Sequence, residues 1–449
     1  MKVTFAGLRV VVVGAGVAGL AACRALVEEG AHVSVSEARP AERIERFAEL
    51  RALGVPVAGG GHEQSHLDGA ELVVTSPGVP QDSPILVRAL ELGIPVWGEL
   101  ELGARLCGAP FVAVTGTNGK TTTTGMIASC LRAGGIDAIA CGNIGHPFVE
   151  AAREGHEALV VEASSFQLRF VDVFHPRVSV LLNLSPDHLD WHGSEDAYMD
   201  AKANLFRSQT SDDIHVGNRD DERSAALSAR APGRLVWFGL GEPREGEVGY
   251  RDGELVARFD GTSSLGPVDG ERAGYRADAA AAAAASLAFG VGAEAVRHGL
   301  AGYTPAHHRG EVVALVDGVR FIDNSKATNV HAALAAIDGL RDTVLIAGGR
   351  AKGVDLGPLV TRADHLHAVV VIGESADALI GIFEGSVPVR RAASIEEATE
   401  IALHLARRPG SVLLAPACAS WDMFQDYEER GDRFSAAARA LMEEVGMRG

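Results

Sequence analysis

The 449-residue chain is short of positive charge, of aromatic side chains and of cysteine. Its 41 Lys and Arg stand against 59 Asp and Glu, a formal net charge of −18. A surface that negative repels nucleic acid and anionic membranes, so neither is expected as a partner. Small anionic substrates are not excluded, but their sites must be made locally positive by lysine, arginine, bound metal or helix N-termini. The five cysteines, Cys23, Cys107, Cys130, Cys141 and Cys418, are odd in number and form no Cys-x-x-Cys pair. That argues against a disulfide framework or a zinc knuckle and for reduced, mostly buried thiols in a cytoplasmic protein. No apolar run reaches the length of a membrane span. The opening MKVTFAGLRVVVVGAGVAG reads as a first β-strand, not a signal peptide.

What is present is a βα rhythm. Short Val/Ile/Leu runs at 9–13, 32–36, 71–75, 111–115, 158–162, 178–184, 319–323, 343–347, 368–372 and 411–415 alternate with helical patterns such as 18–30 and 395–408. The rhythm predicts an α/β protein of parallel sheets covered on both faces. Interruptions near 98–102 and 304–308 suggest three domains, 1–100, 101–306 and 307–449. The Gly- and Asp-rich stretch 234–275 predicts a small antiparallel elaboration of the middle block, and the run Ala279–Ala285 a helix.

Two glycine turns carry the chemistry. Gly14-Ala15-Gly16-Val17-Ala18-Gly19 follows the first strand, and Glu37 follows the second. That layout cradles a diphosphate at a helix N-terminus and sets a carboxylate where a ribose is read. A nicotinamide or flavin cofactor fits it, and so does a nucleotide-sugar. The second turn, Gly116-Thr117-Asn118-Gly119-Lys120-Thr121-Thr122, follows strand 111–115. Val114 stands where a strict P-loop has its first glycine. The working parts remain: backbone N–H groups, a lysine for terminal phosphate oxygens and a hydroxyl for Mg²⁺. A chain with one site for a nucleotide-sugar and another for ATP points to a ligase.

The order TGTNGKTTTT, GNIG, VVEASSFQL, NLSPDHLD, HHR, NSKATN, GGRAKG and PACASWDMF resembles the Mur ligases of peptidoglycan synthesis over essentially the whole chain. Within them it looks most like the type that joins D-glutamate to UDP-N-acetylmuramoyl-L-alanine. The resemblance implies a Rossmann-like UDP-sugar domain, a central ATPase domain and a Rossmann-like C-terminal domain for the amino acid. It also implies a cytoplasmic monomer acting in cell-wall synthesis. Gly14, Val17, Ala18, Glu37, Arg39, Ser76, Asn143, Gln167 and His188 would line the UDP-sugar site. Lys120 would hold the ATP phosphates within the 116–122 loop, with Arg309 and Asn324 near the nucleotide and His308 beside them. Thr121 and Glu162 would ligate one Mg²⁺ (or Mn²⁺), and His188 a second, shared with Lys202 converted by CO₂ to a carbamate. Lys326 would meet the acyl phosphate, and Thr328, Lys352, Ser420 and Tyr427 would form the amino-acid pocket.

Read from its surroundings alone, Lys202 in YMDAKANLF is a solvated helix lysine, and Asp187 and Asp190 suit capping of the next helix equally well. The chain departs from the family at three places. GYRADAAAAAAAS lacks the usual His-Asn…Asn pattern near the adenine, leaving that contact absent or made by Asp278. Asn324 replaces an aspartate, with Asp323 one place earlier, and Asp426-Tyr427 replaces Asn-Phe. Three rivals stay open: a Mur ligase with another amino acid, an NAD(P)- or FAD-dependent oxidoreductase, and a nucleotide sensor without turnover.

Overall fold

The computed structural model describes residues 4–446 apart from 260, 269–272, 305, 306 and 339. The chain divides into two compact units. The first comprises Met1–Leu184, Trp191–Asp269 and Ala277–Tyr303, and the second Ser185–Asp190, Gly270–Arg276 and Thr304–Gly449.

The first unit holds two sheets. One is fully parallel, in the order Val57–Gly59, His32–Glu37, Arg9–Val13, Leu72–Thr75, Val96–Gly98. Its middle strand, RVVVV, is buried from Val10 to Val13, with Val11 paired to Ser34 on one side and Val73 on the other. Helix Val17–Glu28 packs Leu20, Ala22 and Leu26 into the same core. The β-branched run and the alanine-rich helix account for this layer: the first fits a doubly covered strand, the second allows close approach.

The second sheet has nine strands, in the order Thr262–Pro267, Glu254–Arg258, Glu247–Arg251, Arg234–Phe238, Ile214–Asn218, Val178–Leu181, Phe111–Thr115, Ala158–Glu162, Ala138–Gly142. Parallel pairing runs from Ala138–Gly142 through to Glu247–Arg251. Only the last two strands are antiparallel additions. The elaboration is therefore narrower than expected: Arg234–Phe238 belongs to the parallel sheet, and helix Ala273–Phe289 has begun before residue 275. Ala279–Ala285 lie in that helix and are all fully buried.

The second unit carries a six-stranded sheet, Glu311–Val316, Val319–Asp323, Gly410–Leu414, Thr343–Gly348, Leu366–Ile372, Val389–Arg391, parallel except for the first hairpin. Helices Ile395–Leu405 and Tyr427–Gly446 are among those packed on it. The α/β class with three mainly parallel sheets is the class expected. Among the described residues no helix is long and apolar enough to cross a membrane.

Candidate active site

Each sheet presents its polar loops at the carboxyl ends of its parallel strands, where α/β folds bind ligands. At the first glycine turn Gly14 adopts φ +98°, a left-handed value that favours glycine. A Cβ on Gly19 would lie 2.0 Å from the Gly14 carbonyl oxygen, so the helix approaches this closely only because Gly19 has none. Gly16, by contrast, opens on free space and leads helix Val17–Glu28, which no side chain caps. The turn borders a cavity of about 420 Å³ lined by Gly14, Val17, Ala18, Glu37, Arg39 and Ser76, together with His62 and the segment 77–80. Six of the nine residues expected at a UDP-sugar site thus converge, whereas Asn143, Gln167 and His188 do not line this cavity. Glu37 is buried and accepts from Ala15 N at 2.7 Å and Arg39 Nε at 3.1 Å. Burial alone would raise its carboxyl, but the hydrogen bonds from Arg39 and Ala15 outweigh that and hold it below the usual carboxylate range.

The second glycine turn leads helix Lys120–Ala133 through Gly119 at φ +83°, again without a capping side chain. Asn183 braces the loop: its Oδ1 accepts from Asn118 N at 2.9 Å and its Nδ2 donates to Asn118 O at 3.1 Å. The Lys120 ammonium donates to the carbonyls of Gly116 and Thr117, both at 2.9 Å, and so lies over the loop. Thr122 is buried in the first helical turn. A Cβ on Gly119 would meet Asp278 Oδ1 at 2.0 Å, which places that carboxylate directly against the phosphate loop.

Beside the loop, Thr121 Oγ1 donates to Glu162 Oε2 at 2.6 Å, and Asn143 Nδ2 donates to Glu162 Oε1 at 2.8 Å. Glu162 ends the buried strand Ala158–Glu162 and is 2% exposed. Gln167 caps the short helix after it, its Oε1 accepting from Ser164 N and Oγ. Lys202 corrects the reading from its surroundings: it is 1% exposed, not solvated. Its Nζ donates to Gly116 O at 2.7 Å and to Thr115 Oγ1 at 3.3 Å, so helix Glu195–Ala203 turns it inward under the phosphate loop. Tyr198, one turn earlier, lays its ring 4.8 Å from that ammonium and hydrogen-bonds Thr117 Oγ1 at 2.9 Å. No group of three or more His, Cys, Asp or Glu among the described residues would hold a metal alone. The Thr121 hydroxyl and Glu162 carboxylate instead form the partial oxygen set that suits Mg²⁺ completed by phosphate oxygens.

The second unit gathers the remaining expected residues. Asp187 accepts from His188 N at 2.9 Å just ahead of helix Leu189–His192, and also from Lys352 Nζ at 2.8 Å and Asn329 Nδ2 at 3.2 Å, with both charged groups almost wholly buried. The Asp190 side chain lies outside the described residues. His188 stands at φ +53°, its Nε2 3.6 Å from Asp187 Oδ2. Lys326 Nζ sits 3.5 Å above the Tyr427 ring, a cation–π contact. Thr328 N donates to Lys326 O at 2.8 Å, and Asn324 N to Leu414 O at 3.0 Å. Ser420 is buried beside the Arg350–Ala419 bridge, and Arg309 is half-buried. Asp323 is turned inward, accepting from Ser325 N at 2.9 Å and Ser435 Oγ at 3.1 Å and meeting His308 Nδ1 at 2.7 Å.

Three residues that sequence reasoning missed shape these loops: Tyr198, His62 and Arg430. Arg430 is fully buried and donates to Ser325 Oγ, Ser325 O and Cys418 O, tying the NSKATN loop to the ACAS loop. Burial lowers its guanidinium to about 10. None carries a motif, and each has a partner remote in sequence: Thr117 for Tyr198, Ser36 for His62 and Ser325 for Arg430.

The chain matches three family models: Mur ligase MurD-like, N-terminal domain, over residues 8–98; Mur ligase middle domain over 114–266; and Mur ligase, glutamate ligase domain, over 308–418. It is 47% identical to the UDP-N-acetylmuramoylalanine--D-glutamate ligase of Frankia casuarinae, covering 98% of this chain and 95% of that one. It is 41% identical to the enzyme of the same name from Thermobifida fusca, covering 97% and 99%. Among solved structures, the MurF ligase of Thermotoga maritima in complex with ADP superposes with a TM-score of 0.61 at 16% identity, covering 99% of this chain and 100% of that one. The UDP-N-acetylmuramate-alanine ligase of the same organism gives 0.60 at 20%, covering 96% and 99%. These structures share the fold. With its relatives spanning nearly their whole length, the chain belongs to the Mur ligase family, in the branch named for D-glutamate addition.

Proposed function

We propose that the protein is an ATP-dependent amide ligase that joins D-glutamate to UDP-N-acetylmuramoyl-L-alanine and releases ADP and phosphate. The observation that carries this is the cluster under the second glycine turn: Lys120 over the loop, Thr121 on Glu162, and Lys202 buried against the Gly116 carbonyl. An oxidoreductase has no use for that cluster.

A carboxylate and an amine do not condense in water, so the alanine carboxylate must first gain a leaving group. Its oxygen attacks the γ-phosphorus of ATP, giving an acyl phosphate and ADP. The glutamate amine then attacks the carbonyl, and phosphate departs. Several anions meet in these steps, so the protein's main task is alignment and charge neutralisation. Lys120 pairs with the terminal phosphates, and the amides of Gly116–Thr122 cradle them. A divalent cation, Mg²⁺ or Mn²⁺, on Thr121 and Glu162 supplies further neutralisation when bound. His188 and the Lys202 carbamate are suited to hold a second ion. Carbamate formation joins the Lys202 nitrogen to CO₂ and, counted from the ammonium, releases two protons, turning a cation into an anionic oxygen donor.

Arg39, the uncapped helix at Gly16 and Ser76 receive the diphosphate and uridine, while Asn143 and Gln167 face the sugar and its alanine. Arg309 and Asn324 approach the ATP nucleotide. Lys326 meets the acyl phosphate. Thr328, Lys352, Ser420 and Tyr427 receive glutamate, Lys352 exchanging Asp187 for a substrate carboxylate. The three domains, 1–100, 101–306 and 307–449, divide these tasks, and the protein acts as a cytoplasmic monomer. The test is phosphate release from ATP, which is expected only when both the nucleotide-sugar and D-glutamate are present. Equal release without either one overturns the reading.

A further inference from the structure

Glu37 occupies the position from which an acidic side chain reads a ribose in this type of fold. Here its carboxylate is already engaged by Ala15 N, Arg39 N and the Arg39 guanidinium. The cavity therefore needs another acceptor for a sugar hydroxyl, and His62 on its wall is the candidate.

The hydrogen bonds around His62 order its protons. Ser36 Oγ lies 2.8 Å from both His62 Nδ1 and His66 Nδ1 and has one hydrogen to give. Glu63 N donates to His66 Nδ1 at 3.4 Å, closing the cap of the short turn Gln64–Leu67, so that nitrogen is an acceptor. The Ser36 hydroxyl then donates to His66, and His62 Nδ1–H donates to Ser36. That leaves His62 Nε2 without its proton, and it makes no hydrogen bond among the described residues. Burial holds the imidazole below its ordinary value, against the pull of Glu37 and with the help of His66, so the neutral acceptor persists at neutral pH.

We infer that His62, through Nε2, accepts a ribose hydroxyl of the nucleotide bound in the cavity at the first glycine turn, and so selects a ribonucleotide there. The inference rests on the proposed UDP-sugar reading of this cavity. Ser36 is paired in register with Val13 in the next strand, and Val13 with Thr75 beyond it, so the Ser36–His62 bond ties the ring's position to the sheet.

The experiment measures binding of UDP, 2′-deoxy-UDP and 3′-deoxy-UDP by calorimetry, and ligation kinetics with all three substrates, for wild type, His62→Phe and His62→Gln. Phe keeps the ring's bulk without the acceptor, and Gln returns an oxygen near the Nε2 position. Wild type is expected to bind UDP about tenfold more tightly than one of the deoxy analogues, the discrimination one lost hydrogen bond allows. His62→Phe should lose that discrimination and raise KM for the nucleotide-sugar, with kcat and the KM values of ATP and glutamate unchanged. His62→Gln should restore most of it. Equal binding of UDP and both analogues by wild type overturns the inference, as does His62→Phe with unaltered KM, or a parallel loss for all substrates with a lowered Tm. Ligation failing while UDP discrimination depends on His62 would count against the reaction and leave the subsite standing.

Discussion

Lys202 shows how a residue's role can be hidden from local sequence. EDAYMDAKA has no apolar stripe, and a lone lysine in it reads as solvated; only the fold turns it under Gly116. Lys202→Ala is expected to abolish ligation, and short carboxylic acids to restore part of it by supplying the missing oxygen donor. Full activity in the unrescued variant contradicts the carbamate. Glu99 offers a second test. It is fully buried, which raises its carboxyl from the ordinary 4.5 to about 7, against the hydrogen bond it accepts from Val149 N at 2.7 Å. Between those values the folded protein binds a proton that the unfolded chain has lost, so this group's contribution to stability declines as pH rises through the window. The slope approaches about 1.4 kcal/mol per pH unit. Glu99→Gln should flatten the fall in Tm between pH 5 and pH 8, and an unchanged profile would show that Glu99 is ionised throughout. Four of the five cysteines are buried, and burial raises the thiols of Cys23 and Cys130 to about 12 and Cys418 to about 11. Only Cys107 is half-exposed, so mass spectrometry of the alkylated native protein should find label there first.

At the scale of elements, the two glycine turns were legible because their requirement is local: positive φ and close approach admit glycine and little else. Gly19→Ala sets a Cβ 2.0 Å from a backbone carbonyl that cannot swing aside. It should cost about 1–3 kcal/mol and weaken nucleotide-sugar binding; a wild-type Tm and KM would show that the turn tolerates the shift. The long Val/Ile strands were legible for the same reason. The three-residue strands Val57–Gly59, Val96–Gly98 and Val389–Arg391 were not, since three residues carry no period. Ile214–Asn218 was hidden by polarity: His215 interrupts it, yet is buried between Ser179 and Ser228 and lowered by burial to about 3. Arg430 reaches Ser325, 105 positions upstream, a contact no local window reveals. Arg430→Ala removes the donor to the Ser325 and Cys418 carbonyls and should cost about 1–3 kcal/mol, read as a lowered Tm. Stability equal to wild type would show that the two loops hold without it.

For the whole molecule, the motif order pointed to the family because the motifs, from TGTNGKTTTT to PACASWDMF, are spread over the middle and last blocks of the chain. What the order alone could not supply was the burial of Lys202, the Asp187–Lys352 pair and the wall of the first cavity, all of which depend on which strands stand side by side. In a protein with a net charge of −18, Lys120 and Lys202 nevertheless both set their ammonium groups on the Gly116 carbonyl at the second glycine turn. The central claim, that the anhydride of ATP makes a carboxylate attackable, is tested most directly by oxygen transfer. UDP-N-acetylmuramoyl-L-alanine with both carboxylate oxygens labelled as ¹⁸O should yield, with ATP and D-glutamate, inorganic phosphate carrying one ¹⁸O per amide formed. Amide formation with unlabelled phosphate would contradict the account.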